Sequence, residues 1–294
     1  MDQAQSLRDY MNRFQGQQES SERCRVITIT SGKGGVGKSN FTLNFALSLK
    51  ASGKKVVILD LDFATTNINI LMGVAPRYNL TDVLNQKRSI WDVLEPGVGG
   101  IEYIDGDLGI QDLIDFDQHA LSYFWDQIQK LQTYADIILL DTGAGISKEL
   151  VGFITASDET ILITTPEPTS IADSYAVLKT MTQYKEQQPK YSLVINRAQN
   201  FAEAVETSQA LRNACNRFLN LNLNTLGYIM EDSHVRQSVR MQTPFYLSFP
   251  KCEASKNINE IVHKYLPELN LNPTVSTMGI RGFFEKIISK GKSL

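Results

Sequence analysis

The sequence predicts an α/β fold, a doubly wound, mostly parallel sheet with helices on both faces, carrying a glycine-rich P-loop after its first strand. Three observations predict it. Six short apolar runs are β-branched and continuous rather than alternating, as strands buried on both faces are. Each interval between them is long enough for a helix. The first run leads straight into a glycine-rich segment that opens a helical pattern.

In chain order the runs are Val26-Ile27-Thr28-Ile29, Val56-Val57-Ile58-Leu59, Ile137-Ile138-Leu139-Leu140, Thr160-Ile161-Leu162-Ile163, Ser192-Leu193-Val194-Ile195 and Thr225-Leu226-Gly227-Tyr228-Ile229. Open sheets of this kind bind ligands beyond the carboxyl ends of their strands. Chemistry is therefore expected at Ser31-Gly32-Lys33, Asp60-Leu61-Asp62, Asp141-Thr142-Gly143, Thr165-Pro166 and Asn196-Arg197.

Gly32-Lys33-Gly34-Gly35-Val36-Gly37-Lys38-Ser39 follows the first strand and fits G-x-x-x-x-G-K-[ST]. Its glycines let successive N–H groups converge on a phosphate, and the following helix adds its positive end. Lys38 is expected on the β/γ-phosphates and the Ser39 hydroxyl on Mg²⁺. Lys33, a second lysine in the loop, would neutralise charge on the transferred phosphoryl group.

Two other strand ends complete the expected site. Asp60 and Asp62, one residue apart, share a face. One is expected to support Mg²⁺ and the other to orient the attacking water, so both count as catalytic candidates and Asp60 also as a metal candidate. Asp141 takes the Walker-B-like place on Mg²⁺. Gly143 and Gly145 would let that loop approach a γ-phosphate and rearrange when it leaves. The base reads as adenine: Asn196-Arg197-Ala198-Gln199 lacks the carboxylate that reads guanine. Asn196 can exchange a donor and an acceptor with adenine while Arg197 lies against the ring.

The 294 residues are 42% apolar and 21% charged, enough for a large unstapled core. A net charge of −3 argues against a protein that coats nucleic acid, and no nucleic-acid partner is expected. Cys24, Cys215 and Cys252 lie far apart, and His119, His234 and His263 read as isolated, so no second metal site is expected. With no apolar leader-like segment and no stretch of about 18–20 apolar residues, the chain is expected to be soluble or to touch a membrane from its surface. With sparse cysteines and a basic tail, the expected location is cytoplasmic and peripheral on the inner face of the cell membrane. The organisation reads as an N-terminal helix and linker over 1–24, the nucleotide domain over 25–267, and a linker plus amphipathic helix over 268–294.

Both ends carry amphipathic patterns. Ala4, Leu7, Met11 and Phe14 form one helical stripe, with Gln3, Arg8, Asp9 and Arg13 opposite. About 14 residues make a marginal isolated helix, which would form on docking. Near the other end, Ile280, Phe283, Phe284, Ile287 and Ile288 fill an arc of roughly 140°, flanked by Arg281, Lys286 and Lys290. Such a basic amphipathic helix fits an anionic phospholipid surface. Buried alone it would hold weakly, and two such helices held together would gain about 10²–10⁴ in avidity.

Lys33-Gly34-Gly35-Val36-Gly37-Lys38-Ser39, Asp60-Leu61-Asp62 and Asp141-Thr142-Gly143-Ala144-Gly145 together resemble the deviant Walker A, switch I and switch II of the MinD/ParA (SIMIBI) ATPases. The resemblance spans roughly residues 25–267. It implies binding of ATP or ADP with Mg²⁺, slow switch-type hydrolysis, and a face-to-face homodimer in which the lysine matching Lys33 reaches the partner's phosphates. Within the family, Gly143 and the segment Asp2-Gln3-Ala4-Gln5-Ser6-Leu7-Arg8 resemble the branch of flagellar-number regulators. That likeness implies that Asp2, Gln3, Ala4, Leu7 and Arg8 stimulate the SRP-type GTPase FlhF, and it implies flagellar basal-body (C-ring) partners. Switch I departs from the family at Ala64 and Asn69, and Met230 stands where MinD proteins carry a proline. The alternatives are a MinD-type division-site regulator, a ParA-type DNA-partition ATPase and, from another class, a metabolic P-loop kinase.

Overall fold

The structure, a computed structural model, describes residues 24–62, 67–106, 118–184 and 189–271. Its centre is a sheet of eight strands in the order β3-β4-β2-β5-β1-β6-β7-β8. These are β1 (Arg25–Ser31), β2 (Val56–Leu61), β3 (Glu95–Pro96), β4 (Glu102–Asp105), β5 (Ile137–Thr142), β6 (Glu159–Thr164), β7 (Lys190–Ala198) and β8 (Asn224–Met230). All neighbours are parallel except β3 against β4. Each of the six expected runs is a strand. β3 and β4 were not foreseen, and they extend the sheet at the β2 edge.

The pleat sends alternate residues to opposite faces. Ile27, Ile29, Ile58 and Leu139 point to one layer. It holds α1 (Lys38–Ala51), α2 (Ile68–Met72), and two further helices from the end of the described chain, α10 (Phe245–Ser248) and α11 (Glu253–Leu271). Val26, Val57, Leu59 and Ile138 point to the other layer. There lie α3 (Leu80–Leu84), α4 (Ile90–Val93) and α5 (Gln118–Tyr134), while α6 (Lys148–Ala156), α7 (Pro168–Met181) and α8 (Phe201–Leu219) pack beside β6 and β7. A short α9 (Ser233–Arg240) follows β8.

Helix α1 is buried almost all round, from Phe41 through Leu49, so its position is fixed by packing on every side. Each fully buried Leu or Phe there stabilises by about 1.5–3 kcal/mol. Its polar Asn44 is satisfied on both sides: Nδ2 donates to the Asn40 carbonyl, and Oδ1 accepts the Tyr246 N–H at 2.9 Å. Helix α11 fits over β8 because Gly227 leaves room for the Ile261 side chain. It continues through Pro267 to Leu271, so helix, not linker, occupies the first residues after the expected boundary at 267. Among the described residues no helix is long and apolar enough to cross a membrane. The expected N-terminal helix and the residues 272–294 lie outside the described residues.

Candidate functional site

The carboxyl end of β1 turns sharply. Gly32 packs so closely on the backbone of Asp173 and Ser174 in α7 that any Cβ would collide there. Ser31 Oγ donates to the Lys33 carbonyl at 3.0 Å. Gly35 and Gly37 take φ of 79° and 92°, left-handed values that side chains resist. Beyond Gly34 and Gly35 the space is open. Helix α1 starts at Gly37 with no side-chain cap and no acidic residue in its first turn. Its free N–H groups and positive end therefore face the open cradle, as an anion requires.

Behind the cradle, Lys38 Nζ donates to Asp141 Oδ1 at 2.9 Å and to Ser39 Oγ at 3.2 Å, with Asp62 Oδ2 at 3.9 Å. Thr42 Oγ1 donates to the same Asp141 oxygen at 2.9 Å. Asp141 is fully buried, yet its Oδ2 has no hydrogen-bond partner. A buried carboxylate oxygen left bare, on an acid that shares Lys38 with the Ser39 hydroxyl, is chemically suited to Mg²⁺ or one of its waters. The residues present thus fit the group expected of them.

Asp60 sits differently from Asp62. Asp60 Oδ2 accepts the N–H groups of Asn67 at 2.9 Å and Ile68 at 3.0 Å, and Oδ1 accepts that of Asp62 at 3.3 Å. Its carboxylate thereby anchors the start of α2, where switch I re-enters the described chain. Burial, and then the nearby charge of Asp141, push its pKa from 3.8 up to about 7 against those N–H bonds. Asp62 is the carboxylate left turned toward the Lys38 ammonium.

Lys33 reaches sideways from the cradle. Its Nζ donates to Glu167 Oε2 at 3.0 Å and to Thr169 Oγ1 at 3.1 Å. The hydrogen bond from Lys33, and then its charge, hold the Glu167 carboxyl below its usual range. This gives a role to the Thr164–Pro168 segment that its sequence alone did not reveal.

Asn196, at the end of β7, closes the other side. Its Nδ2 donates to the Val36 carbonyl at 2.7 Å, and its Oδ1 accepts the Arg197 N–H at 3.0 Å. Arg197 takes a left-handed φ of 61° and donates from Nε to Glu231 Oε2 at 3.1 Å. Between Gly37, Phe41, Asn196, Arg197, Glu231 and Val235 lies a cavity of about 240 Å³. It opens beside the cradle, where a base attached to a bound phosphate chain would fall. Met230 at its edge donates its N–H to Asn257 Oδ1 at 3.0 Å, a bond that a proline there would forfeit.

The strand ends thus bring together a glycine-rich loop at a helix N-terminus, a buried carboxylate and an adjoining cavity, an arrangement that fits a P-loop nucleotide hydrolase. A family model described as ParA, NUBPL iron-transfer P-loop NTPase, matches residues 23–102. The antiactivator FleN of Pseudomonas aeruginosa is 33% identical over 252 residues, covering 84% of this chain and 88% of its own. The flagellum site-determining protein YlxH of Helicobacter pylori is 31% identical over 268 residues, covering 90% of each. The chain belongs to the MinD/ParA family of P-loop ATPases, in its FlhG (YlxH) branch. In fold it is similar to the MinD of Pyrococcus horikoshii complexed with Mg-ADP, at TM-score 0.68 and 23% identity over 86% of this chain and all of that one. It is likewise similar to a chain of the MinC:MinD complex of Aquifex aeolicus, at TM-score 0.67 and 24% identity over 83% and 96% of the two chains.

Gly32 to Ser39, Asp60, Asp62, Asp141, Asn196 and Arg197 thus meet at one end of the sheet. Sequence reasoning missed Glu167 and Glu231, whose partners Lys33 and Arg197 lie far from them in the chain. It also read His234 as isolated, whereas Asp232, His234 and Cys252 bring their ligand atoms within 4.8 Å of one another. The signal was weak, because Cys252 reaches the pair only through the packing of α11. Phe63 to Thr66 of switch I lie outside the described residues. So do Asp2, Gln3, Ala4, Leu7 and Arg8, and the tail residues Phe283, Phe284, Lys286, Ile287, Ile288 and Lys290.

Proposed function

We propose that this chain is an ATP-gated dimeric switch that limits flagellar number or placement. ATP would join two copies, and the pair would settle on the membrane through two C-terminal helices. Slow hydrolysis would release them. The N-terminal segment of residues 1–24 would stimulate an FlhF-type GTPase, and basal-body proteins would be further partners. The likeness to FleN and YlxH supports the flagellar part of this reading. The observation that carries the switch is Lys33. It stands at the rim of the cradle with 40% of its side chain exposed, tied to carboxylate and hydroxyl groups at the surface rather than buried with Lys38. A lysine so placed is free to exchange its partner for a phosphate on a second copy.

Within one copy, the cradle N–H groups and Lys38 would bind the phosphates, and Ser39 and Asp141 would hold Mg²⁺. When bound, Mg²⁺ neutralises phosphate charge and aligns the phosphoryl group. Asp62 would orient the attacking water, while Asp60 holds switch I against the sheet. Lys33 from the partner would stabilise the charge that develops in transfer. Asn196 and Arg197 would border the adenine.

Co-sedimentation with anionic liposomes, with ADP and with a non-hydrolysable ATP analogue, tests the whole reading. The full chain should pellet with the analogue, and a chain lacking residues 276–294 should not. Equal binding in both nucleotides, or light scattering that finds one mass in both, would refute the switch. A peptide of residues 1–20 added to FlhF separates this reading from a MinD-type regulator, which should leave the GTPase rate unchanged.

A further inference from the structure

We propose that Asp232, His234 and Cys252 form a site for one divalent transition ion of the zinc class, set at the rim of the base cavity and separate from the magnesium position at Asp141. The three side chains offer an oxygen, a nitrogen and a sulfur ligand, all within 4.8 Å of one another. That donor set suits zinc and its neighbours and does not suit magnesium or calcium, which take oxygen ligands.

Two elements bring the ligands together. Asp232 caps α9, with Oδ1 accepting the His234 N–H at 2.9 Å and Oδ2 accepting the Ala254 N–H at 3.2 Å from α11. Both bonds fix the carboxylate and leave lone pairs unused. His234 Nδ1 lies 2.8 Å from Asp232 Oδ1, and its ring rests against Phe249 with centroids 4.7 Å apart. Cys252 directly precedes α11, held by its N–H to the Phe249 carbonyl at 3.0 Å. Its Sγ lies 3.3 Å from Ser255 Oγ and within 4.8 Å of the ligand atoms of Asp232 and His234. Phe249 thus orients the imidazole and anchors the cysteine at once.

Zinc bonds of about 2.0–2.3 Å in tetrahedral geometry separate adjacent ligand atoms by roughly 3.4–3.6 Å. An entering ion would spread the Asp232–His234 pair by less than about 1 Å and draw the sulfur inward. The fourth position would face solvent, since nearly half of the His234 side chain is exposed. Charge balances as well. The thiol gives up its proton to solvent, and the imidazole proton that faces Asp232 from Nδ1 moves to Nε2, which frees Nδ1 to ligate. One carboxylate and one thiolate then neutralise the dication. The other thiols do not compete: burial, aided at Cys24 by Asp158 and Asp136, pushes Cys24 to about 12, and burial pushes Cys215 to about 11.

Titration of the nucleotide-free full chain with Co²⁺ tests the site. The expected result is one ion per chain, a thiolate-to-cobalt charge-transfer band, its displacement by Zn²⁺, and release of about one proton per ion. Cys252→Ser should abolish the band, and His234→Ala should weaken binding at least tenfold. Cys252→Ala provides a second thiol-free variant, with thermal unfolding and analogue binding reporting that each variant is folded. A cobalt spectrum without thiolate character, or a band that survives loss of Cys252, would overturn the proposal and leave the three residues as a helix cap only.

Discussion

The Lys33 ammonium lies 3.0 Å from a carboxylate oxygen of Glu167, 134 residues further along the chain. The lysine that the proposed dimer would require is thus engaged within its own copy. Dimerisation would have to break this exposed pair, which competes with the partner's phosphates. Glu167→Gln keeps a hydrogen-bond acceptor and removes the charge. It should tighten the dimer formed with a non-hydrolysable ATP analogue several-fold at low salt, and the gain should fade as salt screens the wild-type pair. Lys33→Ala should lose both dimer and turnover while keeping nucleotide affinity. Sedimentation velocity across a concentration series checks both. A weaker dimer in Glu167→Gln would mean that this carboxylate serves the partner instead.

Asp60 and Asp62 are expected to fail differently. Asp62 faces Lys38, whereas Asp60 is bound up with N–H groups of switch I. Asp62→Ala should lower turnover by about 10²–10⁴, the usual worth of a group that positions and activates water, with nucleotide binding and dimer retained. Single-turnover hydrolysis together with fluorescent-nucleotide binding separates the two effects. A variant that hydrolyses normally would move the role elsewhere.

The raised pKa of Asp60 has its own signature. Held at about 7 by burial and by Asp141, this carboxyl binds its proton more tightly in the folded chain than in the unfolded one. The resulting stability is complete below the unfolded value of about 3.8 and is lost as pH rises to about 7. Asp60→Asn, uncharged at every pH, should lack that loss. Its melting temperature relative to wild type should therefore rise between about pH 4 and pH 7 and level off above that. A difference that stays flat across this range would show that Asp60 does not titrate there.

The strands and the cradle were legible because their signals are local. Six runs of buried residues and one glycine pattern need no knowledge of what packs on them. β3 and β4 carried no such signal: Glu95–Pro96 has two residues, and Glu102-Tyr103-Ile104-Asp105 has only two apolar ones. They form because the edge of β2 accepts β4, and β4 in turn accepts β3. Helix α11 runs past Pro267 for a similar reason. Tyr265, Ile261 and Val262 are fixed in the core just before it, and packing there outweighs the cost of a proline. Within the site, the residue types at strand ends were readable but their divisions of labour were not. Which of Asp60 and Asp62 anchors the backbone depends on N–H groups of Asn67 and Ile68, and these are placed by the fold.

Lys38 and Asp141 form a buried ion pair at 2.9 Å, with 7% and 0% of their side chains exposed. Removing one member leaves the other's charge stranded, at a cost of about 3–5 kcal/mol. The two truncations are nonetheless unequal. Lys38→Met leaves Asp141 with only the Thr42 hydroxyl, whereas Asp141→Asn leaves Lys38 an amide oxygen, Ser39 Oγ and the Asp62 carboxylate nearby. Without nucleotide, Lys38→Met should therefore melt roughly 10 °C below wild type, and Asp141→Asn closer to it. Calorimetry on the apo chains decides. Equal melting would mean that water reaches Asp141 and solvates its charge.

Gly37 and Asn196 lock the loop from opposite sides, and their substitutions should not add. A Cβ on Gly37 would meet Asn196 Nδ2 at 2.5 Å and would also force a side chain onto a φ of 92°. Asn196→Ala removes the first obstacle but frees the Val36 carbonyl it holds. Each single substitution should weaken nucleotide binding at least tenfold, since each disturbs the converging N–H groups of the cradle. In the double variant the collision disappears and only the backbone strain, about 1–2 kcal/mol, remains on top of the lost bond. The combined loss should thus fall short of the sum of the two. Isothermal titration with ADP and Mg²⁺ on all four chains measures the coupling. Full additivity would mean that Asn196 and Gly37 act on separate parts of the nucleotide, and that the contact between them does not set the shape of the loop.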